Sequence, residues 1–309
     1  MPTKRAVILL IALGVLAVAV SLVWSLLFRP LAAFEAIERG RLRWEGFERR
    51  ELAGPRGTLV YWRAGSGPVV VFLHGANDQA GAWVRVVRPI VARARVVLGD
   101  LAGHGDSAPA DGPLSVTDLM AGVEALVAAE APGSRVTLVG NSLGGWLALV
   151  YADRHPERVA HVVLVNGAAI RGDGTEATVN LLPKTREEAR QAFDAVMSPS
   201  SPRVPSFVLD DLIRRAPASP LARLLAAPVP EEYALDRRLD GIRTPVTLLW
   251  GADDQVLPMS YAKRIAAELP SARLAVLERC GHVPQRECPD RFLPHLERAL
   301  RESPASRTP

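Results

Sequence analysis

At 309 residues, with 49% apolar and 23% charged side chains, the chain has the make-up of a globular protein with room for one ample core or two modest ones. Its net charge of +4 comes from scattered arginines, with no zinc-finger spacing, aromatic RNA-binding run or basic arm, so composition argues against nucleic acid as a partner. A basic surface of this kind suits the neighbourhood of an anionic membrane.

Residues 6–28 carry no charge. As a helix such a run would be about 34 Å long, enough to cross a hydrocarbon core of about 30 Å. Lys4 and Arg5 followed by Ala17-Val18-Ala19 also resemble a cleavable signal peptide, but the apolar run continues to Arg29, and Trp24 and Phe28 suit an interfacial belt. The expectation is therefore a single-pass membrane anchor at residues 1–30 and a juxtamembrane connector at 31–46. Arginines 29, 39, 41 and 43 flank the far side, so charge alone does not orient the segment; a short N-terminus ordinarily stays inside, which would make the downstream domain extracytoplasmic.

Downstream, residues 47–52 and 58–63 read as a hairpin about Gly54-Pro55-Arg56-Gly57. An alternation follows. Strands are expected at 69–73, 96–98, 136–139 and 159–165, with helices at 82–91, 116–129 and after residue 142. Uninterrupted apolar strands alternating with helices imply an α/β fold with a mostly parallel sheet covered by helices on both faces. The pattern stops at Gly167 and resumes at Val246. Between them, residues 171–239 are rich in Pro, Arg, Asp and Glu, with helical patches at 185–197, 207–214 and 221–226, and read as an inserted helical cap. Strands at 246–250 and 274–277, helices at 259–269 and 291–300, and a frayed tail at 302–309 complete the chain. The core would thus comprise residues 47–170 and 240–301.

The sharpest local signal is V-T-L-V-G-N-S-L-G-G-W at residues 136–146, a strand that breaks at Gly140 and restarts as a helix. A G-x-S-x-G turn holds its serine, here Ser142, in a strained conformation with the hydroxyl projecting; Gly140 and Gly144 leave room for tight packing, and the helix N-terminus offers N–H groups to an oxyanion. Asn141 fits a hydrogen bond within the turn or a contact to substrate. Three more loops at strand ends carry polar residues: His74-Gly75-Ala76-Asn77-Asp78-Gln79, Gly251-Ala252-Asp253-Asp254 and Cys280-Gly281-His282-Val283-Pro284. Open α/β sheets place their sites at such ends.

With these loops in register, residues 47–300 resemble the α/β-hydrolase superfamily. The run G-N-S-L-G-G at 140–145, the cap start L-L-P-K-T-R-E-E-A at 181–189 and P-V-T-L-L-W-G-A-D-D-Q-V-L at 245–257 are most similar to membrane-anchored monoacylglycerol lipases and related serine esterases. The resemblance implies a Ser142 nucleophile, His282 as base, and Asp254, third after Trp250-Gly251, as the acid. Asp253 reads as a solvated loop carboxylate. The oxyanion would be held by the backbone N–H groups of Ala76 and Leu143. Meta-cleavage C–C hydrolases also place Asn before the nucleophile, but their oxyanion loop reads H-G-S-G-P-G; a non-catalytic, ligand-binding relative is a further alternative. An apolar ester substrate is implied, and no cofactor.

The remaining candidates read as structural. His74 and Gly75 shape the oxyanion loop, His104 lies in a D-x-x-G-H-G-x-S turn, His155 reads as a helix-end residue, and His161 and His295 show no partners. Cys280 and Cys288 are too few for a disulfide scaffold and lack metal-ligand spacing; they read as small buried thiols, or as a local disulfide in an extracytoplasmic domain. No HExxH or His/Asp cluster points to a metal, and no G-x-G-x-x-G to a dinucleotide.

Overall fold

The unbroken apolar runs become the central strands. β3 (Val69–Leu73), β5 (Val136–Asn141) and β6 (Val159–Val165) are buried along their whole length, as parallel strands covered on both faces must be. This computed structural model describes residues 23–170 and 179–303, together with Arg5, Val7, residues 12–14 and Val20. With β1 (Glu48–Gly54), β2 (Gly57–Ala64), β4 (Arg95–Gly99), β7 (Val246–Gly251) and β8 (Ala272–Leu277), the strands form one eight-stranded sheet in the order β1-β2-β4-β3-β5-β6-β7-β8. β1, β2 and β4 pair antiparallel, the expected hairpin closing at Gly54 opposite Gly57; every other pair is parallel. The chain runs outward from β3 to β4, then crosses back to β5. Strand order therefore reverses between β3 and β5, and the strands' C-terminal ends at such a reversal are where open α/β sheets place their sites.

Alternate residues of β3 feed two cores. Val69, Val71 and Leu73 join one with α3 (Val116–Glu130) and α4 (Leu143–Arg154), whereas Val70 and Phe72 join another with Trp62, Trp83 and Phe292. α3 begins where Ser115 and Asp118 form a capping box. The helix expected at 82–91 does not form. A 3-10 turn at Ala80–Trp83 gives way to a four-residue α2 (Arg88–Val91), because Pro89 inside a longer helix would clash with the preceding turn and is tolerated only near a helix start.

Between β6 and β7 the alternation is interrupted, as expected, by three helices: α5 (Arg186–Val196), α6 (Ser206–Arg215) and α7 (Pro220–Leu225). The first residues of this stretch, 171–178, lie outside the described residues. Arg223 of α7 fixes it to the core by donating to the carbonyls of Gly103, Pro109, Ala110, Asp111 and Gly112 at 2.7–3.4 Å. The chain ends in α8 (Met259–Glu268), α9 (Pro284–Glu287) and α10 (Pro289–Glu302); the tail expected beyond lies mostly outside the described residues.

The expected membrane anchor is corrected. Most of residues 6–28 lies outside the described residues, and among the described residues no helix is long and apolar enough to cross a membrane. The described residues 23–28 are helical, and Arg29 separates them from the helix that begins at Pro30. The membrane localisation and the extracytoplasmic placement drawn from the expected anchor fall with it.

The segment read as a connector is α1 (Pro30–Trp44), docked between core and insertion. Its Leu31 N–H donates to Asp211 at 3.0 Å and its Glu35 pairs with Arg215 at 2.8 Å, both partners on α6. On the core side, buried Glu38 accepts from Gln79 at 2.9 Å and from Arg286 Nη2 at 2.7 Å; the same Nη2 donates to Asp78 at 2.6 Å, and the guanidinium lies 5.3 Å from the Phe34 ring centre.

One cation shared by two carboxylates does not offset burial, which raises the Glu38 pKa from 4.5 to about 8. The folded chain then holds a proton that the unfolded chain has released. Stability should decline as pH rises from 4.5 to about 8 and level off above it, and Glu38→Gln should remove that decline. Thermal midpoints of both proteins across this window give the check. A wild type that gains on Glu38→Gln as pH rises would show that Arg286, not burial, dominates.

Candidate active site

β5 ends at Asn141, α4 starts at Leu143, and Ser142 makes the turn with φ 51° and ψ −117°. For a residue with a Cβ this left-handed backbone costs on the order of 1–3 kcal/mol and must be held by its surroundings. Four hydrogen bonds hold it. Ser142 N–H donates to Val165 O at 3.1 Å, and its carbonyl accepts from Gly145, Trp146 and Ala168 at 3.0, 3.2 and 3.1 Å. Glycines permit the approach: a Cβ on Gly140 would lie 2.2 Å from Gly144 O, and one on Gly144 would lie 2.3 Å from Leu73 O. The serine is thus wedged at the point where strand order reverses.

Beside it runs the loop after β3. A Cβ on Gly75 would lie 3.3 Å from Ser142 Cβ. Fully buried His74 accepts from Leu101 N–H at Nε2, 3.0 Å away, and donates from Nδ1 to Gly75 O at 2.7 Å. Burial lowers its pKa to about 4, so the ring is neutral and the two contacts define its tautomer. Because a trans peptide points its C=O and N–H in opposite directions, holding the Gly75 carbonyl on His74 turns the Ala76 N–H away from the ring. Leu143 N–H, in the first turn of α4, is the other donor the sequence singled out; such N–H groups lack intrahelical partners. His104, its pKa lowered to about 3 by burial, packs against His74 in a tilted arrangement with ring centres 5.3 Å apart and is part of the turn's packing.

On the other side, after β7, Asp254 is buried and fully hydrogen-bonded. Its Oδ1 accepts from Val256 and Leu257 N–H at 2.8 and 2.9 Å; its Oδ2 accepts from His282 Nδ1 at 2.8 Å and Asn166 Nδ2 at 2.6 Å. Asn166 went unnoticed in the sequence. It follows β6 at φ 43°, and its own Oδ1 accepts from Gly251 N–H at 3.2 Å, so its amide can only donate toward Asp254. The available signal was a polar residue at the C-terminal end of an all-apolar strand.

With Nδ1 committed to Asp254, Nε2 is the His282 atom left for proton transfer. Asn141 joins this loop to the elbow, since its Nδ2 donates to both Val165 O and His282 O at 3.0 Å and its Oδ1 accepts from Gln285 at 3.1 Å. It is spent on this tie, not on a substrate. The tie from Asn141 to the His282 carbonyl places the loop that carries His282 beside the turn that carries Ser142.

Three expectations change. Asp253 is not a solvated carboxylate: it is half-buried and accepts from Ser198 Oγ at 2.5 Å. Cys280 and Cys288 are not free thiols but form a disulfide, with Cα atoms 6.0 Å apart. His161, for which no partner was foreseen, meets Thr247 Oγ1 at 2.9 Å. Among the described residues no group of His, Cys, Asp or Glu could hold a metal.

A model of the alpha/beta hydrolase family matches residues 70–295. Human monoacylglycerol lipase ABHD6 is 29% identical over 246 residues, covering 71% of each chain, and a 2-hydroxy-6-oxononadienedioate/2-hydroxy-6-oxononatrienedioate hydrolase of Cupriavidus pinatubonensis is 32% identical over 241 residues, 71% of this chain and 81% of that one. The crystal structure of a membrane phospholipase A superposes with a TM-score of 0.73 at 28% identity, covering 96% of this chain and 98% of that one. The elbow at the strand reversal, the polar loops after β3, β7 and β8, and a match spanning residues 70–295 place this chain in the alpha/beta hydrolase family.

Proposed function

We propose that the chain is a cofactor-independent serine hydrolase of carboxylic esters. Ser142 Oγ attacks the ester carbonyl carbon while its proton passes to His282 Nε2, and the tetrahedral oxyanion is held by the N–H groups of Ala76 and Leu143. The imidazolium then protonates the leaving alkoxide, and an acyl-enzyme remains on Ser142. Water, deprotonated by His282, releases the carboxylic acid. Asp254 holds the Nδ1–H tautomer throughout and stabilises the imidazolium.

The observation that carries this reading is the His282–Asp254 bond of 2.8 Å, made by an Asp whose other contacts are all hydrogen-bond donors, on a loop tied through Asn141 to the strained Ser142. The substrate inferred is an apolar, monoacylglycerol-like ester. Half-buried Ala76, Trp146, Ile170 and Leu257, around the C-terminal ends of β3, β5, β6 and β7, pack on the core and offer an apolar wall to an acyl chain under the α5–α7 cap. Similarity to a monoacylglycerol lipase and a phospholipase supports this.

The second reading, C–C bond hydrolysis, is favoured by the 32% identity to a dienedioate hydrolase. A dioate needs cations, however, and among the described residues Arg286 is committed to Glu38 and Asp78 and Arg223 to backbone carbonyls. Purified protein should hydrolyse esters of graded chain length and a monoacylglycerol, and leave a 2-hydroxy-6-oxo-dienedioate untouched. Turnover of the dienedioate alone would select the second reading; failure of a fluorophosphonate to label Ser142 would indicate a ligand-binding relative.

A further inference from the structure

We propose that Glu287 is a positioning residue for His282, and that through it the segment inserted between β6 and β7 sets where the general base sits. This rests on the assignment of His282 as the base.

The loop from Cys280 to Cys288 is closed by the disulfide, and each of its polar residues reaches a different part of the site. Gln285 donates to Asn141 at the elbow, and Arg286 to Asp78 in the loop after β3. Glu287 faces the insertion. Its Oε2 accepts from Gly281 N–H at 2.6 Å, next to His282 in the chain, while its Oε1 accepts from Ser198 N–H at 2.6 Å and Ser201 Oγ at 2.5 Å, just past the end of α5.

The helix end itself completes the seat. The last carbonyls of an α-helix lack intrahelical donors. Here Val196 O accepts from His282 N–H at 2.7 Å and Ala195 O from Gln255 N–H at 3.1 Å, so the end of α5 holds both the base loop and the acid loop. The fit is close: a Cβ on Gly281 would lie 2.3 Å from Val196 O. Ser198 also donates through Oγ to Asp253, beside Asp254.

His282 is thereby fixed at its side chain by Asp254 and at its backbone by α5, with the Glu287 carboxylate clamping Gly281 and Ser198 together on either side of the Val196 contact. Hydrogen bonds to a carboxylate are roughly twice as strong as neutral ones. Losing this one leaves two N–H groups unpaired and frees the His282 backbone to shift along α5. Displacing a reacting group by about 1 Å costs on the order of 10²-fold in rate without loss of substrate binding.

The experiment compares wild type with Glu287→Ala, Glu287→Gln and Ser201→Ala on a soluble butyrate ester, with active sites counted by complete fluorophosphonate labelling. Counting sites separates a damaged geometry from a smaller folded fraction. The expected result is a fall in kcat per labelled site of about 10²-fold for Glu287→Ala, with KM changed less than about twofold. Glu287→Gln, which keeps one acceptor oxygen, should recover part of the loss to about 10-fold, and Ser201→Ala should lose least. A Glu287→Ala enzyme with wild-type kcat per site overturns the proposal. If that variant does not fold, wild-type kcat per site in Glu287→Gln overturns it equally. Absence of labelling in wild-type protein would instead remove the serine-hydrolase reading on which the proposal rests.

Discussion

Replacing Ser142 with alanine is expected to abolish ester hydrolysis, a loss on the order of 10⁶ in turnover by comparison with other serine nucleophiles, and to leave the fold intact. The backbone of residue 142 is held by bonds to Val165, Gly145, Trp146 and Ala168, all of which alanine keeps, and the turn already accommodates a Cβ at φ 51°. Among the described residues the hydroxyl itself carries no structural hydrogen bond. Turnover of a soluble ester and a thermal melt, measured side by side, check both halves. Retention of more than a few per cent of activity would place the nucleophile elsewhere, whereas a lost melt would make Ser142 a folding residue.

Asp254→Asn is the second large effect, on the order of 10⁴ in turnover. The Val256 and Leu257 N–H groups require an oxygen at the Oδ1 position, so the new amide nitrogen must take the Oδ2 position, facing Asn166 Nδ2 and His282 Nδ1. Two amide nitrogens would then oppose each other, and His282 would have to offer a lone pair at Nδ1, carrying its proton on Nε2 where it cannot accept from Ser142. Asp253→Asn is the control. Its carbonyl oxygen still accepts from Ser198, so its cost should be small, even though the residue is not the free carboxylate that the sequence suggested. If Asp253→Asn proves the more damaging, the acid is assigned one residue too late.

What was legible in the chain follows from where the information lies. Each loop at the site combines an apolar strand with the residues that immediately follow it, so Ser142, His282, Asp254 and the Ala76 loop could be placed from short windows. Asn166 and Glu287 could not. Asn166 meets Asp254 across 88 residues, and Glu287 meets Ser198 across 89, and no spacing rule links such positions. The helix expected at 82–91 failed for a local reason that was available, Pro89 within it. The membrane span is overturned because, among the described residues, no helix is long and apolar enough to cross a membrane; hydropathy reads the composition of a run and not its conformation.

The sequence by itself determined the strand–helix alternation, the hairpin at the sheet edge, the strained elbow and the place of the three polar loops at strand ends, because periodicity, glycine placement and turn residues act over a few bonds. Only the tertiary structure decided that residues 30–44 form a helix clamped by Glu38 and Arg286, that the two cysteines pair, that Asp253 is engaged, and that α5 seats the loops of both Asp254 and His282. Apart from the disulfide, which closes a single short loop, these are polar contacts between distant segments. Their partners are selected by the cost of leaving donors and charges unpaired once the sheet has brought them together, and that cost does not exist until the chain is folded.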